Sequence, residues 1–190
     1  MFNLILFGTP GSGKGTQSVK IANKYNLGHI STGDIFRKEI KDKTELGLKI
    51  QSIIESGSLV PDELLIEVLD KAMRKFTGVK GFVLDGFPRT LRQAEELDEL
   101  LETKNDCVSL VLALDVKIDE VLQRLLKRAA DEGRKDDTEE VIKNRLEVYF
   151  HQTSPLIEYY KNQGKYKSVH GIGSVDEIFE NICKIVDVHF

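Results

Sequence analysis

Short apolar runs alternate with longer segments of mixed polarity along this chain. The runs at Phe2–Phe7, Gly81–Leu84 and Val108–Leu114 are almost wholly apolar, as expected for central strands of a parallel sheet covered on both faces. Two shorter runs, His29–Ser31 and Tyr166–Val169, complete five predicted strands. Strands that alternate with helices are typical of βαβ units, so the pattern predicts an α/β fold with a five-stranded parallel sheet.

Helical periodicity fills the gaps between these strands. Acidic residues behind Pro61 and behind Thr138 mark two helix starts. The predicted helices are Lys14–Asn26, Gly33–Lys41, Leu46–Glu55, Asp62–Phe76, Leu91–Glu102, Asp119–Ala130, Thr138–Lys161 and Val175–Val188.

Two places depart from the simple alternation of strand and helix. Three helical segments, instead of one, lie between the second and third strands, and a polar glycine-containing loop at Ala129–Asp137 separates two later helices. Long polar insertions on an α/β sheet often close over a ligand, whereas the alternative is an ordinary exposed connection.

Composition narrows the possible functions. The chain has 190 residues, 41% of them apolar, which suits one domain with a sizeable core. Its formal charge of −4 provides no global basic field for nucleic acid, so an anionic ligand must be held by local clusters. The longest apolar runs have only the length of a strand, and no basic leader precedes the first one. We therefore expect a soluble cytoplasmic protein that binds neither nucleic acid nor membrane.

Cys107 and Cys183 lie far apart and outside any C-x-x-C pair, which argues against a disulfide framework and a structural zinc site. We expect each to be a small buried apolar side chain.

The most specific motif is Gly8–Thr16, directly behind the first strand. Its glycines allow backbone N–H groups to converge on phosphate oxygens, and Lys14 adds a mobile positive charge. The spacing G-x-x-x-x-G-K is that of a P-loop, but Gly15 follows the lysine and the hydroxyl comes one place later, at Thr16. The alternative is a glycine-rich turn with a solvated lysine.

Ligands of open parallel sheets bind beyond the carboxyl ends of the strands. The segment S-T-G-D after the second strand leads to Arg37, and D-G-F-P-R after the third ends in Arg89. Asp85 ends an apolar strand, where an unpaired carboxylate is costly, so magnesium or its water shell is a candidate partner and a turn the alternative. Arg124 and Arg128 share a helix face and suit either a polyphosphate or a surface ion-pair network.

Together these motifs resemble the adenylate kinases of the nucleoside monophosphate kinase family, in their short-lid form, over nearly the whole chain. The residues that carry the resemblance are G-T-P-G-S-G-K-G-T at Gly8–Thr16, S-T-G-D at Ser31–Asp34 with Arg37, G-S-L-V-P at Gly57–Pro61, D-G-F-P-R-T at Asp85–Thr90 with Gln93, and Arg124, Arg128, G-R-K-D-D at Gly133–Asp137 and Arg145. The ending Gly15-Thr16 is a feature of this family. The resemblance implies a three-layer P-loop fold of residues 1–190 in which 31–60 form a helical NMP-binding insertion and 128–138 a short lid.

The resemblance also implies a role for individual residues. Those expected to bind ATP are Gly11, Ser12, Gly13, Lys14, Gly15, Thr16, Arg124, Arg128 and Gly173. Those expected to bind AMP are Thr32, Arg37, Ser58, Leu59, Val60, Gly86, Arg89, Gln93, Arg134 and Arg145. The expected catalytic residues are Lys14, Arg89, Arg128, Arg134 and Arg145.

The implied reaction is the reversible, Mg²⁺-dependent transfer ATP + AMP = 2 ADP, with Asp85 holding the metal through water. The short lid contains no cysteine, so no structural zinc is expected, and nothing in the sequence demands more than a monomer. The phosphate oxygen of AMP is already an anion near neutral pH. Catalysis therefore consists mainly of aligning two polyanions, neutralising their repulsion and excluding water.

Two rival functions use the same loop. A switch GTPase needs a hydroxyl directly after Lys14 and an N-K-x-D motif, whereas Asn23–Asn26 ends in asparagine and lies on the first helix. A UMP or CMP kinase is the nearer rival, but the family pattern favours adenine where Thr32 and Gln93 stand.

The predicted lid arginine provides a first test. We expect Arg134→Ala to lower turnover far more than the free energy of unfolding, because the guanidinium would neutralise charge only during transfer. Steady-state rates and chemical denaturation of the same preparation measure both quantities. An unchanged forward rate would rule out the assigned role.

Overall fold

The computed structural model describes residues 1–132 and 137–190. Its strands are β1 (Phe2–Phe7), β2 (Gly28–Ser31), β3 (Gly81–Asp85), β4 (Leu110–Asp115) and β5 (Tyr166–His170). They form one sheet in the order β2-β3-β1-β4-β5 with parallel pairing throughout. The predicted five-stranded parallel α/β sheet is confirmed.

The register of the sheet brings the ends of its central strands together. Asp85, the last residue of β3, pairs with Leu6 of β1 on one side and with Ser31 of β2 on the other. Phe7 of β1 pairs with Ala113 of β4. The segments that follow these strands therefore leave the sheet at one edge, where ligands of such sheets bind.

Helices connect the strands. They are α1 (Lys14–Tyr25), α2 (Thr32–Lys41), α3 (Glu45–Glu55), α4 (Asp62–Met73), α5 (Leu91–Glu102), α6 (Ile118–Glu132), α7 (Glu139–Val148), α8 (Leu156–Asn162) and α9 (Val175–His189). Several begin with a hydroxyl side chain that accepts a hydrogen bond from the backbone N–H three residues on, a favourable N-cap. These capping residues are Ser31, Thr44, Thr90, Thr138 and Ser174.

Alternate residues of the central strand point to opposite faces of the sheet, and each face carries its own core. Ile5 belongs to a buried cluster with Leu97 of α5 and Tyr160 of α8. Its neighbour Leu4 belongs to a second cluster, with Ile21 of α1 and with residues of α9. The fold is consequently three layers, helix on sheet on helix.

The single helix predicted over Thr138–Lys161 is wrong. Helix α7 ends at Val148, a π-helical turn occupies Tyr149–Thr153, and α8 begins only after Pro155. The proline has no N–H to continue the helical ladder, and Ser154 instead donates to the carbonyl of Tyr149 at 2.8 Å. Apolar periodicity continues across this break, which is why the sequence pattern did not reveal it.

The expectation for the cysteines is half right. Cys183 is buried in α9, but Cys107 is exposed in the loop before β4. Its backbone N–H donates to the side chain of Asp106, which also binds the N-terminal amine. A loop tied down by such polar contacts does not require a buried thiol. Among the described residues, no helix is long and apolar enough to cross a membrane.

Helices α2 and α3, which lie between β2 and α4 along the chain, pack closely against each other. Gly47, in the first turn of α3, lies against the end of α2, and a Cβ atom there would stand 2.1 Å from the carbonyl oxygen of Glu39. Phe36 of α2 and Ile50 of α3 are buried in the same core cluster as Ile5, so this pair of helices is anchored to the sheet.

This contact predicts the effect of one methyl group. Gly47→Ala should lower the free energy of unfolding by about 1–3 kcal/mol, because the helices must separate to admit it. The matched control is Leu48→Ala on the same helix, where the side chain is 63% exposed; its change should stay within about 0.5 kcal/mol. Chemical denaturation measures both, and equal effects would contradict the packing.

Candidate active site

A cavity of about 470 Å³ opens at the carboxyl edge of the sheet. Segments that follow β1 and β3, the start of α2 and side chains from α6 and α7 line it. The cationic side chains of this lining are Lys14, Arg37, Arg89, Arg124, Arg128 and Arg145. So many positive groups around one opening suit a ligand with several phosphates.

A smaller recess of about 40 Å³ adjoins the cavity. Their linings share Gly33, Leu59, Gly86 and Arg89. The rest of the recess is lined by Thr32, Phe36, Ile54, Ser58, Val60, Leu65 and Gln93. This mixture of apolar walls and a few polar groups suits a flat heterocycle joined to the phosphates next door.

The P-loop needs its glycines for two physical reasons. Gly11 has a φ of +83°, and a Cβ atom there would lie 2.7 Å from the side chain of Leu125. Gly13 has a φ of +96° and is the N-cap of α1, where it provides no side-chain cap. The first N–H groups of α1 are therefore left for an anion, which the helix dipole also favours.

Lys14 folds back on its own loop. Its Nζ donates to the carbonyl oxygens of Gly8, at 2.7 Å, and Thr9, at 2.8 Å. Burial lowers the pKa of Lys14 from 10.5 to about 8, against the attraction of Asp85 and together with repulsion from nearby arginines. A bound phosphate would supply the missing countercharge.

Asp85 has the surroundings of a metal-binding carboxylate. It is only 8% exposed, and its Oδ2 lies 3.7 Å from the point where a Cβ atom of Gly15 would stand. The loop at Gly15 therefore lies close to the carboxylate, and Thr16, which carries a hydroxyl, also lines the cavity. These oxygen donors fit Mg²⁺, which binds one or two carboxylates together with phosphates and water.

One buried carboxylate organises two of the expected catalytic arginines. Asp137 has no exposed surface, and it accepts from Arg128 through both oxygens, at 2.6 and 2.8 Å. Arg145 of α7 donates to the same carboxylate at 2.7 Å. The side chain of Arg145 also packs against Gly57, at the end of the α2–α3 segment. Asp137 was part of the quoted motif, but no role was assigned to it from sequence.

Arg124 lies against the P-loop, as expected. It binds Glu120 at 2.9 Å, the carbonyl oxygen of Ser12 at 3.4 Å and that of Gly171 at 3.2 Å. Among the described residues Arg124 thus makes a helix ion pair and also binds two loop carbonyls, so its contacts extend beyond a surface ion-pair network.

Some residues expected to bind nucleotide do not line either cavity in the described part of the chain. The side chain of Ser12 is buried beneath the loop, and Gly173 lies between β5 and α9, outside the described linings of both cavities. Arg134 lies outside the described residues, so its prediction is not addressed by the structure.

Most of the residues expected to bind AMP line the small recess, whereas Arg37 and Arg145 line the large cavity. Thr32 donates to the carbonyl oxygen of Gly86 at 3.1 Å, and Arg89 Nε donates to the same oxygen at 2.8 Å. Arg37, one turn into α2, pairs with Asp34. Burial alone would raise the pKa of Asp34, but the hydrogen bond and charge of Arg37 outweigh it and lower the pKa.

The π-helical turn contributes lining that sequence reasoning missed. Tyr149 and Thr153 both line the large cavity, and the hydroxyl of Thr153 donates to the backbone carbonyl of Arg89 at 2.9 Å. A continuous helix would present different side chains here. Only Pro155, as a helix breaker, could have signalled the break in advance.

The fold and the site together define a class of protein. A P-loop and a neighbouring carboxylate face a second, smaller recess across a set of arginines, on a sheet of order β2-β3-β1-β4-β5. This is the arrangement of a P-loop phosphotransferase of the nucleoside monophosphate kinase type.

Comparison with known proteins identifies the family. The family model described as adenylate kinase matches residues 6–165. The chain is 52% identical over 187 residues to an adenylate kinase of Bacteroides thetaiotaomicron, covering 98% of this chain and 99% of that protein. Identity is 51% to one of Bacteroides fragilis, with the same coverage, and 46% over 188 residues to one of Flavobacterium psychrophilum, with 98% and 99% covered. The chain belongs to the adenylate kinase family, whose members use Mg-ATP.

The lowered pKa of Lys14 predicts proton uptake on binding. At pH 8 a lysine with a pKa of about 8 is half protonated; a phosphate raises that pKa, so binding of a non-hydrolysable ATP analogue should take up about half a proton. Affinity should accordingly fall as the pH rises above 8. Titration calorimetry in buffers of different ionisation enthalpy measures the uptake.

Lys14→Arg is the control, since arginine keeps its charge throughout this range. It should show less proton uptake than the native protein at pH 8. Identical uptake by the two proteins would contradict the assignment.

Proposed function

We propose that this chain catalyses reversible phosphoryl transfer between ATP and AMP, ATP + AMP = 2 ADP, with Mg²⁺. One observation carries the proposal beyond family membership. The phosphate cavity and the smaller recess meet at Arg89, which lines both, so a donor and an acceptor bound side by side would meet there.

The donor half is the P-loop. The N–H groups at the start of α1 and the ammonium of Lys14 would bind the phosphates of ATP, and Arg124 would border them from α6. Asp85 and Thr16 would hold Mg²⁺, directly or through water. The metal supplies charge neutralisation between the phosphates when it is bound.

The acceptor half is the recess between α2, α3 and α5. Arg37 and Arg89 line the large cavity near its junction with the recess, where the phosphate of AMP would lie. Gln93 lines the recess itself and would contact the base, between walls that include Leu59 and Val60. The recess lining includes seven of the residues predicted to bind AMP: Thr32, Ser58, Leu59, Val60, Gly86, Arg89 and Gln93.

Transfer requires charge more than it requires a base. Arg128 and Arg145, joined through Asp137, stand at the cavity from the side of α6 and α7. Placed between two phosphates, they would neutralise the charge that builds up on the transferred group. Closure of 31–60 and of 128–138 over the substrates would exclude water, which otherwise competes with AMP.

Oligomeric state, zinc content and location in the cell complete the proposed function. The protein is proposed to act as a monomer, since nothing in the sequence demands more. The segment 128–138 contains no cysteine, so the short lid needs no structural zinc. The cytoplasmic location stays a prediction.

ADP formation from Mg-ATP with each of AMP, UMP, CMP and GMP tests the proposal. AMP should be the preferred acceptor, because Thr32 and Gln93 stand at the base end of the recess. Arg37→Met should then lower kcat/KM for AMP about 100-fold, as for a lost charge-assisted phosphate contact, with little change in KM for ATP.

Arg74→Met is the matched control. Arg74 pairs with Asp70 on α4, outside both described linings, and its loss should leave kcat/KM within about twofold. Preference for another acceptor would overturn the substrate assignment, and equal effects of the two substitutions would overturn the role of Arg37.

A further inference from the structure

The side-chain amide of Gln93 accepts one hydrogen bond and donates another, to partners from different parts of the chain. Gln93 has no exposed surface, and it lies in the first turn of α5. Its Oε1 accepts from the backbone N–H of Arg89 at 2.7 Å, while its Nε2 donates to Oδ1 of Asp62 at 2.6 Å. Asp62 is the first residue of α4, 31 residues earlier in the chain.

These two partners permit only one orientation of the amide. A carboxylate can only accept a hydrogen bond, and a backbone N–H can only donate one. Rotating the amide of Gln93 by half a turn would set its oxygen against the carboxylate of Asp62 and its NH₂ against the N–H of Arg89. Both contacts would be repulsive, so the positions of oxygen and nitrogen are determined.

Asp62 lies at a helix end that suits a carboxylate. It stands at the N-terminus of α4, where the helix dipole favours negative charge. Its neighbour Glu63 binds Arg92 of α5 at 3.0 Å, which joins the same two helix ends a second time. Gln93 is part of the described lining of the recess, whereas Asp62 is not, so Asp62 stands behind the amide.

A determined amide offers a determined order of hydrogen-bonding groups. Beyond the contacts above, Oε1 retains one lone pair and Nε2 retains one hydrogen. On the edge formed by N1 and the group at C6, a 6-amino purine presents a donor beside a ring acceptor, whereas a 6-oxo purine presents an acceptor beside a ring N–H donor.

We propose that Asp62 is a positioning residue which sets the polarity of the Gln93 amide and thereby selects 6-amino over 6-oxo purine monophosphates. The inference rests on the proposed function, in which Gln93 faces the acceptor base. It assigns discrimination to a side chain that does not touch the substrate.

The test compares AMP with inosine monophosphate, its 6-oxo counterpart, as acceptors. Asp62→Leu removes the acceptor for Nε2, whereas Asp62→Asn can still accept that hydrogen bond through its Oδ1. Asp62→Leu should lower the ratio of kcat/KM for AMP to that for inosine monophosphate at least about tenfold, with KM for ATP unchanged, and Asp62→Asn should retain more of the ratio. Thermal unfolding of each variant shows that it is folded.

Glu63→Gln is the matched control, because it removes one negative charge from the same helix end without touching Gln93. Its ratio should equal that of the native protein. An unchanged ratio in Asp62→Leu, or an equal loss toward both acceptors, would overturn the inference. A native protein that does not prefer AMP would contradict the proposed function itself, and this inference with it.

Discussion

The whole site depends on holding six cationic side chains around one opening. Coulomb repulsion between such groups is strong in a partly buried cavity, so each needs a partner within the protein. Asp137 serves both Arg128 and Arg145, while Asp34 serves Arg37. The remaining contacts include Glu120 and a set of backbone carbonyls. Carboxylates and backbone carbonyls of the protein therefore partly neutralise the cations that would bind a polyanion.

We propose that nucleotide phosphates replace some of these partners on binding. Burial lowers the pKa of Lys14 to about 8, although two loop carbonyls accept hydrogen bonds from its ammonium. A phosphate would compensate this charge and raise that pKa. Because Gly57 lies beside the side chain of Arg145, we also propose that this arginine links phosphate binding to closure of the 31–60 segment.

Local signals account for what could be predicted from sequence. Strands, the P-loop and most helix bounds follow from short-range pattern, and the parallel sheet then brings Arg37, Asp85 and Arg89 to one edge. Contacts between residues far apart in sequence could not be predicted from short-range pattern. The double pairing of Asp137, the contact of Asp62 with Gln93 and the exposure of Cys107 all depend on how separate elements pack.

We propose that donor and acceptor occupy the adjoining cavity and recess at the same time, and that the phosphoryl group passes directly between them. Initial rates with ATP and AMP varied together test this most directly. Intersecting double-reciprocal lines are predicted, because both substrates must be bound before transfer. Parallel lines are the sign of a covalent phosphoenzyme formed before AMP binds, and they would contradict direct transfer between the two substrates.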